Sequence, residues 1–138
     1  MLDILLVDDE PTIRLSVGDA LRAAGHRVTL AGDGAEAMAS IEAKVFDVVI
    51  SDMRLPKGDG MTIFRTLRDE APSTDVILIT AFGDVQDAVA AMKEGASDYL
   101  TKPFDIDVIR LRLERIAERR QLKSELEQAR AQLAAEAP

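Results

Sequence analysis

The chain of 138 residues contains no cysteine, and only 4% of its residues are aromatic. Without cysteine it forms neither disulfide bonds nor thiolate metal sites, which is typical of a protein of the reducing cytoplasm. No apolar stretch approaches the roughly 20 residues that a helix needs to cross a membrane. The first residues also lack the basic, apolar and small-residue succession of a secretory signal, so we expect a cytoplasmic protein with no membrane segment.

Basic residues are too few for a nucleic-acid-binding chain. Residues 1–104 hold 18 acidic and 10 basic residues and carry the whole net charge of −8, whereas residues 105–138 are neutral. Because excess negative charge repels the phosphate backbone, we expect no direct binding to nucleic acid. With 47% hydrophobic residues, the chain can bury the core of one domain that carries one appended element.

Short apolar stretches alternate with amphipathic helices along the first hundred residues. The predicted strands are residues 2–7, 28–31, 45–51, 76–80 and 98–101. The predicted helices are residues 11–24, 34–43, 61–70 and a segment from Val85 that ends at Gly95. Five strand–helix units with short connections predict an α/β fold with a doubly wound, five-stranded parallel sheet.

The last predicted helix is unusually long and carries two apolar stripes. It begins after Asp105, which can cap it, and its pattern continues to about residue 135. The first stripe, which we expect to pack on the sheet, is Ile106, Ile109, Leu113 and Ile116. The second stripe, out of phase with the first, is Leu122, Leu126, Ala129 and Leu133. We interpret it as the seam of a homodimer and predict a domain over 1–119 and a helical linker or coiled-coil extension over 120–138.

Three carboxylates stand at the ends of two predicted buried strands. Asp8 and Asp9 follow the first strand, and Asp52 follows the third. Parallel strands end at one common edge of a sheet, so these acids converge there and repel one another. A cluster of oxygen ligands without cysteine suits Mg²⁺ better than zinc or copper.

Five motifs stand in a fixed order, each at the end of a predicted strand or in the loop after it. They are D-D-E at 8–10, D-M-R-L-P-K-G-D-G at 52–60, T-A at 80–81, and D-Y-L-T and K-P-F, which follow each other at 98–104. Together they resemble the response-regulator receiver domain of bacterial two-component signalling, with its CheY-like or flavodoxin-like (βα)5 fold. The resemblance runs from Leu2 to about Ile116.

The resemblance implies a role for each acid. Asp52 would accept a phosphoryl group from a sensor histidine kinase and become an acyl phosphate. Mg²⁺ would be bound directly by Asp9 and by Asp8 largely through water, with Asp52 and the backbone carbonyl of Arg54 as further ligands. Lys102 would pair with Asp52 at rest and with the phosphoryl oxygens afterwards. A domain of this kind promotes its own phosphorylation and dephosphorylation and is otherwise not an enzyme.

The resemblance also implies a switch. Thr80 would bind a phosphoryl oxygen and draw Tyr99 inward, which changes the surface of the fourth helix, the fifth strand and the fifth helix. Arg54 and Phe82 each lie two residues after a site residue, and we predict that they set the lifetime of the acyl phosphate. Lys102–Pro103 resembles a family position at which the peptide bond is usually cis.

The run from Thr80 to Asp105 resembles the NtrC-like class, in which the receiver controls an AAA+ ATPase that acts on RNA polymerase with the alternative sigma factor. We therefore expect a covalently linked output domain outside this chain, and the alternative is a stand-alone receiver with a dimerising tail. A haloacid-dehalogenase-like phosphatase would need a D-x-D motif after the first strand. A flavodoxin-like electron carrier would need a phosphate-binding loop there instead of D-D-E-P.

Simpler interpretations exist for single residues. Any one acid among residues 8–10 taken alone could merely cap the first helix, Thr80 could be a turn residue and Tyr99 a core aromatic. We expect His26 to be a solvated loop residue and Asp59 to serve its turn without binding the metal.

Overall fold

Parallel strands form the centre of the protein. The structure is a computed structural model that describes residues 1–81 and 84–136. Its strands are β1 (Asp3–Val7), β2 (Arg27–Ala31), β3 (Val48–Asp52), β4 (Arg54–Leu55), β5 (Gly58–Asp59), β6 (Asp75–Thr80) and β7 (Asp98–Thr101). Five of them pair in parallel in the order β2-β1-β3-β6-β7, which confirms the predicted sheet.

The burial of each strand follows its place in the sheet. β3 lies at the centre, and all five of its residues are buried. β2 lies at one edge and alternates exposed and partly buried residues until Ala31. A strand covered on both faces is mostly apolar, which is why the apolar stretch at 45–51 predicted a buried strand. The strand begins only at Val48, and Val45 is exposed.

Five helices connect and follow the strands. They are α1 (Pro11–Ala23), α2 (Gly34–Ala43), α3 (Gly60–Glu70), α4 (Val85–Lys93) and α5 (Ile106–Glu136). Asp33 caps α2 by accepting from the backbone N–H of Glu36, and Asp59 caps α3 by accepting from that of Thr62, each at 2.7 Å. Asp59 thus has a structural role at the turn before α3.

The antiparallel hairpin of β4 and β5 was not expected from the sequence. It folds part of the loop after β3, and Lys57 and Gly58 turn it with φ angles of 55° and 147°. Strands of two residues are too short to show the alternation by which a strand is recognised. The hairpin positions Gly60, the first residue of α3.

His26 is less solvated than its loop position predicted. It is partly buried between α1 and β2, and its Nδ1 accepts a hydrogen bond of 3.1 Å from the backbone N–H of Leu2. Burial, together with the positive charge of the chain N-terminus, lowers the pKa of the imidazole. The neutral ring is therefore part of the structure at this end of the sheet.

The chain divides into two compact units, Met1–Ile106 and Asp107–Pro138. The second unit is the rest of α5, which runs as one continuous helix, as predicted, to Glu136. Ile109, Leu113 and Ile116 are buried, whereas every residue from 121 to 136 is exposed. The predicted division after residue 119 stays a prediction. No described helix is long and apolar enough to cross a membrane.

Candidate functional site

The ends of four parallel strands lie side by side at one edge of the sheet. The registers pair Val7 with Ser51, Asp52 with Ile79, and Thr80 with Thr101. Asp8 therefore follows one strand end next to β3, and Lys102 follows another next to β6. This topology brings to one place residues that are up to 94 positions apart in the sequence.

The ammonium group of Lys102 is the centre of the cluster. Its Nζ lies 2.8 Å from Oδ2 of Asp52, 3.1 Å from Oδ2 of Asp8 and 3.1 Å from Oε1 of Glu10. Burial alone would lower the pKa of this lysine, but the nearby carboxylates of Asp52, Asp8 and Glu10 raise the pKa instead. Lys102 is therefore charged and shared among three carboxylates. The Lys102–Pro103 peptide bond is cis, as the resemblance implied.

Asp8 is fully buried, and only one of its two carboxylate oxygens accepts a hydrogen bond from the described residues. Its Oδ1 accepts from the backbone N–H of Glu10 at 2.9 Å. Its Oδ2 receives no hydrogen bond from the described residues, although Nζ of Lys102 lies 3.1 Å away, so this contact is an ion pair without good hydrogen-bond direction. Burial raises the pKa of the Asp8 carboxyl, and the charge of Asp52 raises it further, against the opposing effect of Lys102.

These observations fit a divalent cation. The carboxylate oxygens of Asp8, Asp9 and Glu10 lie within 4.8 Å of one another, and Asp9 and Glu10 are exposed. Lys102 joins Asp52 to this group. A buried oxygen without a hydrogen bond, beside two accessible carboxylates, is a donor set of the hard oxygen type that Mg²⁺ prefers. Asp8 and Asp9 are the predicted ligands that the structure brings together, and Glu10 was not predicted to take part.

Asp52 is nearly buried, but its carboxylate is held from two sides. Oδ2 accepts from Lys102, and Oδ1 accepts from the backbone N–H of Arg54 at 3.2 Å. Gly60 packs against the same backbone, where an added Cβ would lie only 2.6 Å from the carbonyl oxygen of Asp52. Any side chain at residue 60 would therefore displace the carboxylate-bearing loop.

The two predicted switch residues lie on neighbouring strands. Thr80 is fully buried at the end of β6, and its hydroxyl donates to the carbonyl of Leu100 at 3.5 Å, which is long for such a bond. Tyr99 is partly buried in β7 and packs against the hydrophobic core. The Thr80 hydroxyl, held by one long hydrogen bond, can donate to a closer acceptor. The role of Tyr99 stays a prediction.

Arg54 and Phe82 were predicted to set the lifetime of an acyl phosphate. Phe82 lies outside the described residues. The guanidinium of Arg54 forms two hydrogen bonds of 2.8 Å with the carboxylate of Asp84, which the sequence did not indicate. The exposed side chain of Arg54 therefore has a defined position.

The exposed face of α4 differs from the sequence-based expectation. The spacing of the apolar residues in this segment predicts that Val85, Ala88, Val89 and Met92 cover the buried side of the helix. Ala88 is buried as expected, together with Ala91, whereas Val85, Val89 and Met92 are 37–40% exposed. The expectation was wrong for the three larger residues, because periodicity alone does not distinguish a buried face of small alanines from an adjoining face of larger apolar side chains.

Comparisons with known proteins agree with this geometry. The family model described as the response regulator receiver domain matches residues 4–114. The chain belongs to the response-regulator receiver family. Members of this family generally bind Mg²⁺ at an acidic pocket and carry phosphate on an aspartate.

Several relatives are transcriptional regulators. The chain is 41% identical over 116 residues to the probable transcriptional regulatory protein TcrX of Mycobacterium tuberculosis, a match that covers 84% of this chain and 50% of TcrX. It is 40% identical over 104 residues to the DNA-binding transcriptional regulator NtrC of Escherichia coli, covering 75% of this chain and 22% of NtrC. The chain thus spans half or less of the length of these relatives.

A solved structure of NtrX from Brucella abortus is similar over nearly the whole chain. Its TM-score is 0.83 at 34% identity, and the match covers 93% of this chain and 29% of NtrX. The receiver fold and the likeness to NtrC-like regulators are therefore both confirmed. This receiver is a signalling domain of two-component systems and not a member of a catalytic enzyme family.

Proposed function

We propose that Asp52 of this receiver accepts a phosphoryl group from a sensor histidine kinase and that the modified domain controls an output domain outside this chain. The observation that carries this proposal is the contact of 2.8 Å between Asp52 and the charged Lys102, next to the buried and under-bonded Asp8. A second domain is supported by the greater length of TcrX and NtrC. We expect the protein to act in the cytoplasm, where its kinase would be phosphorylated.

The transfer needs little besides position and charge. One oxygen of Asp52, already ionised, forms a bond to phosphorus while the bond between phosphorus and its leaving group in the donor breaks. Lys102 already lies at Asp52 and neutralises charge on the phosphoryl oxygens as it leaves Asp8 and Glu10. When bound, Mg²⁺ would neutralise further charge on those oxygens, held by Asp8, Asp9, Asp52 and the carbonyl of Arg54.

The proposed response begins at Thr80. Its hydroxyl exchanges the long bond to Leu100 for a phosphoryl oxygen, which shifts the end of β6 and draws Tyr99 inward. The exposed apolar residues of α4, which are Val85, Val89 and Met92, then lie on the surface that changes. A two-state element biased by a new charge is the mechanism required.

Labelling with a small donor tests the acceptor. Incubation with acetyl phosphate and Mg²⁺ should add one phosphoryl mass to the wild type. We expect no added mass when Mg²⁺ is omitted, and none in the Asp52→Asn variant. Asp59→Asn is the matched control, because it makes the same change of charge seven residues away and asparagine still caps α3. Labelling of Asp52→Asn at the wild-type level would overturn the assignment.

The switch and the lifetime have separate tests. Amide chemical shifts of α4 and β7 should change with a phosphoryl mimic, and the change should disappear in Thr80→Ala. The dephosphorylation rates of Arg54→Asn and Phe82→Glu should differ from the wild type by more than twofold. If both rates stay within twofold, these residues do not set the lifetime.

The output and the assembly are further parts of the proposal. We propose an AAA+ output domain that acts with the alternative sigma factor, because the chain resembles NtrC and NtrX. We also propose a homodimer through the exposed stripe of α5, formed by Leu122, Leu126, Ala129 and Leu133. An ATPase assay of the natural full-length protein, with and without acetyl phosphate, tests the first part; the stand-alone receiver is favoured if no such domain exists.

A further inference from the structure

An ion pair outside the acidic pocket joins the loop after β3 to the start of α4. Arg54 donates from Nε and from Nη2 to the two carboxylate oxygens of Asp84, each at 2.8 Å. The side chain of Asp84 is only 12% exposed, whereas that of Arg54 is 78% exposed. A bidentate pair of this kind fixes the plane of the guanidinium as well as its place.

Asp84 makes this pair instead of capping its helix. It is the residue before α4, yet its side chain accepts no hydrogen bond from the first turn. Asp33 and Asp59 stand at the same position before α2 and α3, and both cap. Since aspartate is among the preferred capping residues, the exception indicates that Asp84 is committed to Arg54.

Arg54 is also joined to the acceptor. Its backbone N–H donates to Oδ1 of Asp52 at 3.2 Å, so the guanidinium is attached to the loop that bears the phosphoryl group in the proposed function. Away from Asp84, this exposed cation would be attracted to a dianionic phosphoryl donor near Asp52. Its bidentate pair with Asp84 points it along the groove of roughly 440 Å³ between α3 and α4 instead.

We propose that Asp84 is a positioning residue for the phosphoryl transfer: it holds the guanidinium of Arg54 outside the pocket until a phosphoryl group competes for it. The inference rests on the proposed function of Asp52. When Arg54 leaves, the carboxylate of Asp84 becomes available to the first turn of α4, so the same exchange connects the acceptor loop to that helix. Asp84 thereby lowers the affinity of the resting domain for a small donor.

The test measures the labelling rate of the full chain against acetyl phosphate concentration. Asp84→Asn should lower the half-saturating concentration about twofold to fivefold, the range expected for the loss of an ion pair with one exposed partner, with the maximal rate unchanged. Because the side chain of Asp84 does not cap α4, the substitution removes no capping hydrogen bond, and asparagine can cap the helix as well as aspartate can. In an Arg54→Gln background, Asp84→Asn should have no effect, because the cation that it releases is missing.

Two further variants make the test sharper. Asp87 lines the same groove, and its charge also raises the pKa of Arg54, after that of Asp84. Because Arg54 can turn to Asp87 in the single variant, Asp84→Asn with Asp87→Asn should show the larger effect. Glu94→Gln is the matched control: Glu94 follows the other end of α4 and pairs with Arg65 and Arg68, far along the chain from the pocket.

The outcomes separate the inference from the proposed function. Absence of labelling in the wild type would overturn both. Normal labelling with an unchanged half-saturating concentration in Asp84→Asn and in the double variant would overturn the inference alone. A change that persists in the Arg54→Gln background would also overturn it, because Asp84 would then act through α4 and not through the guanidinium.

Discussion

The carboxyl edge of the sheet and the tail of α5 (residues 121–136) are held by different kinds of contact. At the edge, Lys102 binds Glu10 across 92 positions of sequence and Asp52 across 50. In the tail every residue is exposed, and Gln121 and Gln132 each donate to a glutamate four residues later. The edge is a product of tertiary topology, whereas the tail is organised by its own helix.

This difference determines in which region a single substitution changes the free energy of unfolding. A charge removed from the edge leaves other buried charges uncompensated, so its effect is felt in the free energy of unfolding. A residue removed from the tail leaves nothing uncompensated within the chain. An isolated helix of about 15 residues is marginal in water, which is the reason for proposing that a partner helix covers the apolar stripe of the tail.

The largest effect is expected from removing the tail. Truncation after Arg120 should convert the proposed homodimer into a monomer, as measured by sedimentation equilibrium. It should leave labelling by acetyl phosphate at the wild-type rate, since the edge contains no residue of the tail. A second variant, Leu122→Ala with Leu126→Ala, should also weaken the dimer, and it does so without shortening the chain.

Two results would break the comparison. If the truncated chain stays as dimeric as the full chain, the interface is not in the tail and the proposed seam is wrong. If truncation abolishes labelling while the protein stays folded, the edge and the tail are not independent.

The contrast also explains what could be predicted from the sequence. The parallel sheet and the places of Asp8, Asp52 and Lys102 could be predicted from apolar runs that end in polar residues, because parallel topology brings strand ends together. The ion pairs of Glu10 and Arg54 could not be predicted from the sequence, since each depends on the direction of a long side chain. The exposure of Val89 did not follow either, because the periodicity of α4 fits more than one buried face.

Lys102→Ala tests the edge itself. Removing the ammonium should lower the free energy of unfolding at pH 7 by about 2 kcal/mol, less than for a wholly buried pair because Lys102 is partly exposed. Lys123→Ala, the same change in the exposed tail, should stay within about 0.5 kcal/mol of the wild type. Urea unfolding of the two variants compares the regions directly.

The loss in free energy of unfolding caused by Lys102→Ala should also depend on pH, and the direction follows from the pKa of Asp8. The pKa of Asp8 is raised in the folded protein, so the folded state binds a proton more readily than the unfolded state there. Stability attributable to Asp8 therefore increases as the pH falls through its folded pKa. The deficit should shrink in mild acid, and a deficit that grows instead would contradict our account of Asp8.

Mg²⁺ should stabilise the folded protein by less than Lys102→Ala destabilises it, and only through residues at the carboxyl edge of the sheet. At ten times its dissociation constant, a ligand that binds only the folded state raises the free energy of unfolding by about 1.4 kcal/mol. Asp9→Asn should lose most of this gain, because Asp9 is an exposed proposed ligand. Truncation after Arg120 should keep all of it, and thermal unfolding with and without Mg²⁺ distinguishes the two. An unchanged gain in Asp9→Asn would remove that residue from the metal site.

The smallest effect is expected at the opposite edge of the sheet, at His26, and its sign is opposite to that of Asp8. The neutral imidazole accepts from Leu2, and its pKa lies below the ordinary value of 6.5. The unfolded chain therefore binds this proton more readily than the folded protein, so the contribution of His26 is complete above about pH 6.5 and is lost as the pH falls towards the folded pKa. Urea unfolding between pH 7.5 and 5.5 should show a slope in the wild type that is reduced in His26→Gln, and the imidazole should titrate below its ordinary value by NMR. An imidazole that titrates above it would show that protonation stabilises this edge, and the difference in sign between the two ends of the sheet would disappear.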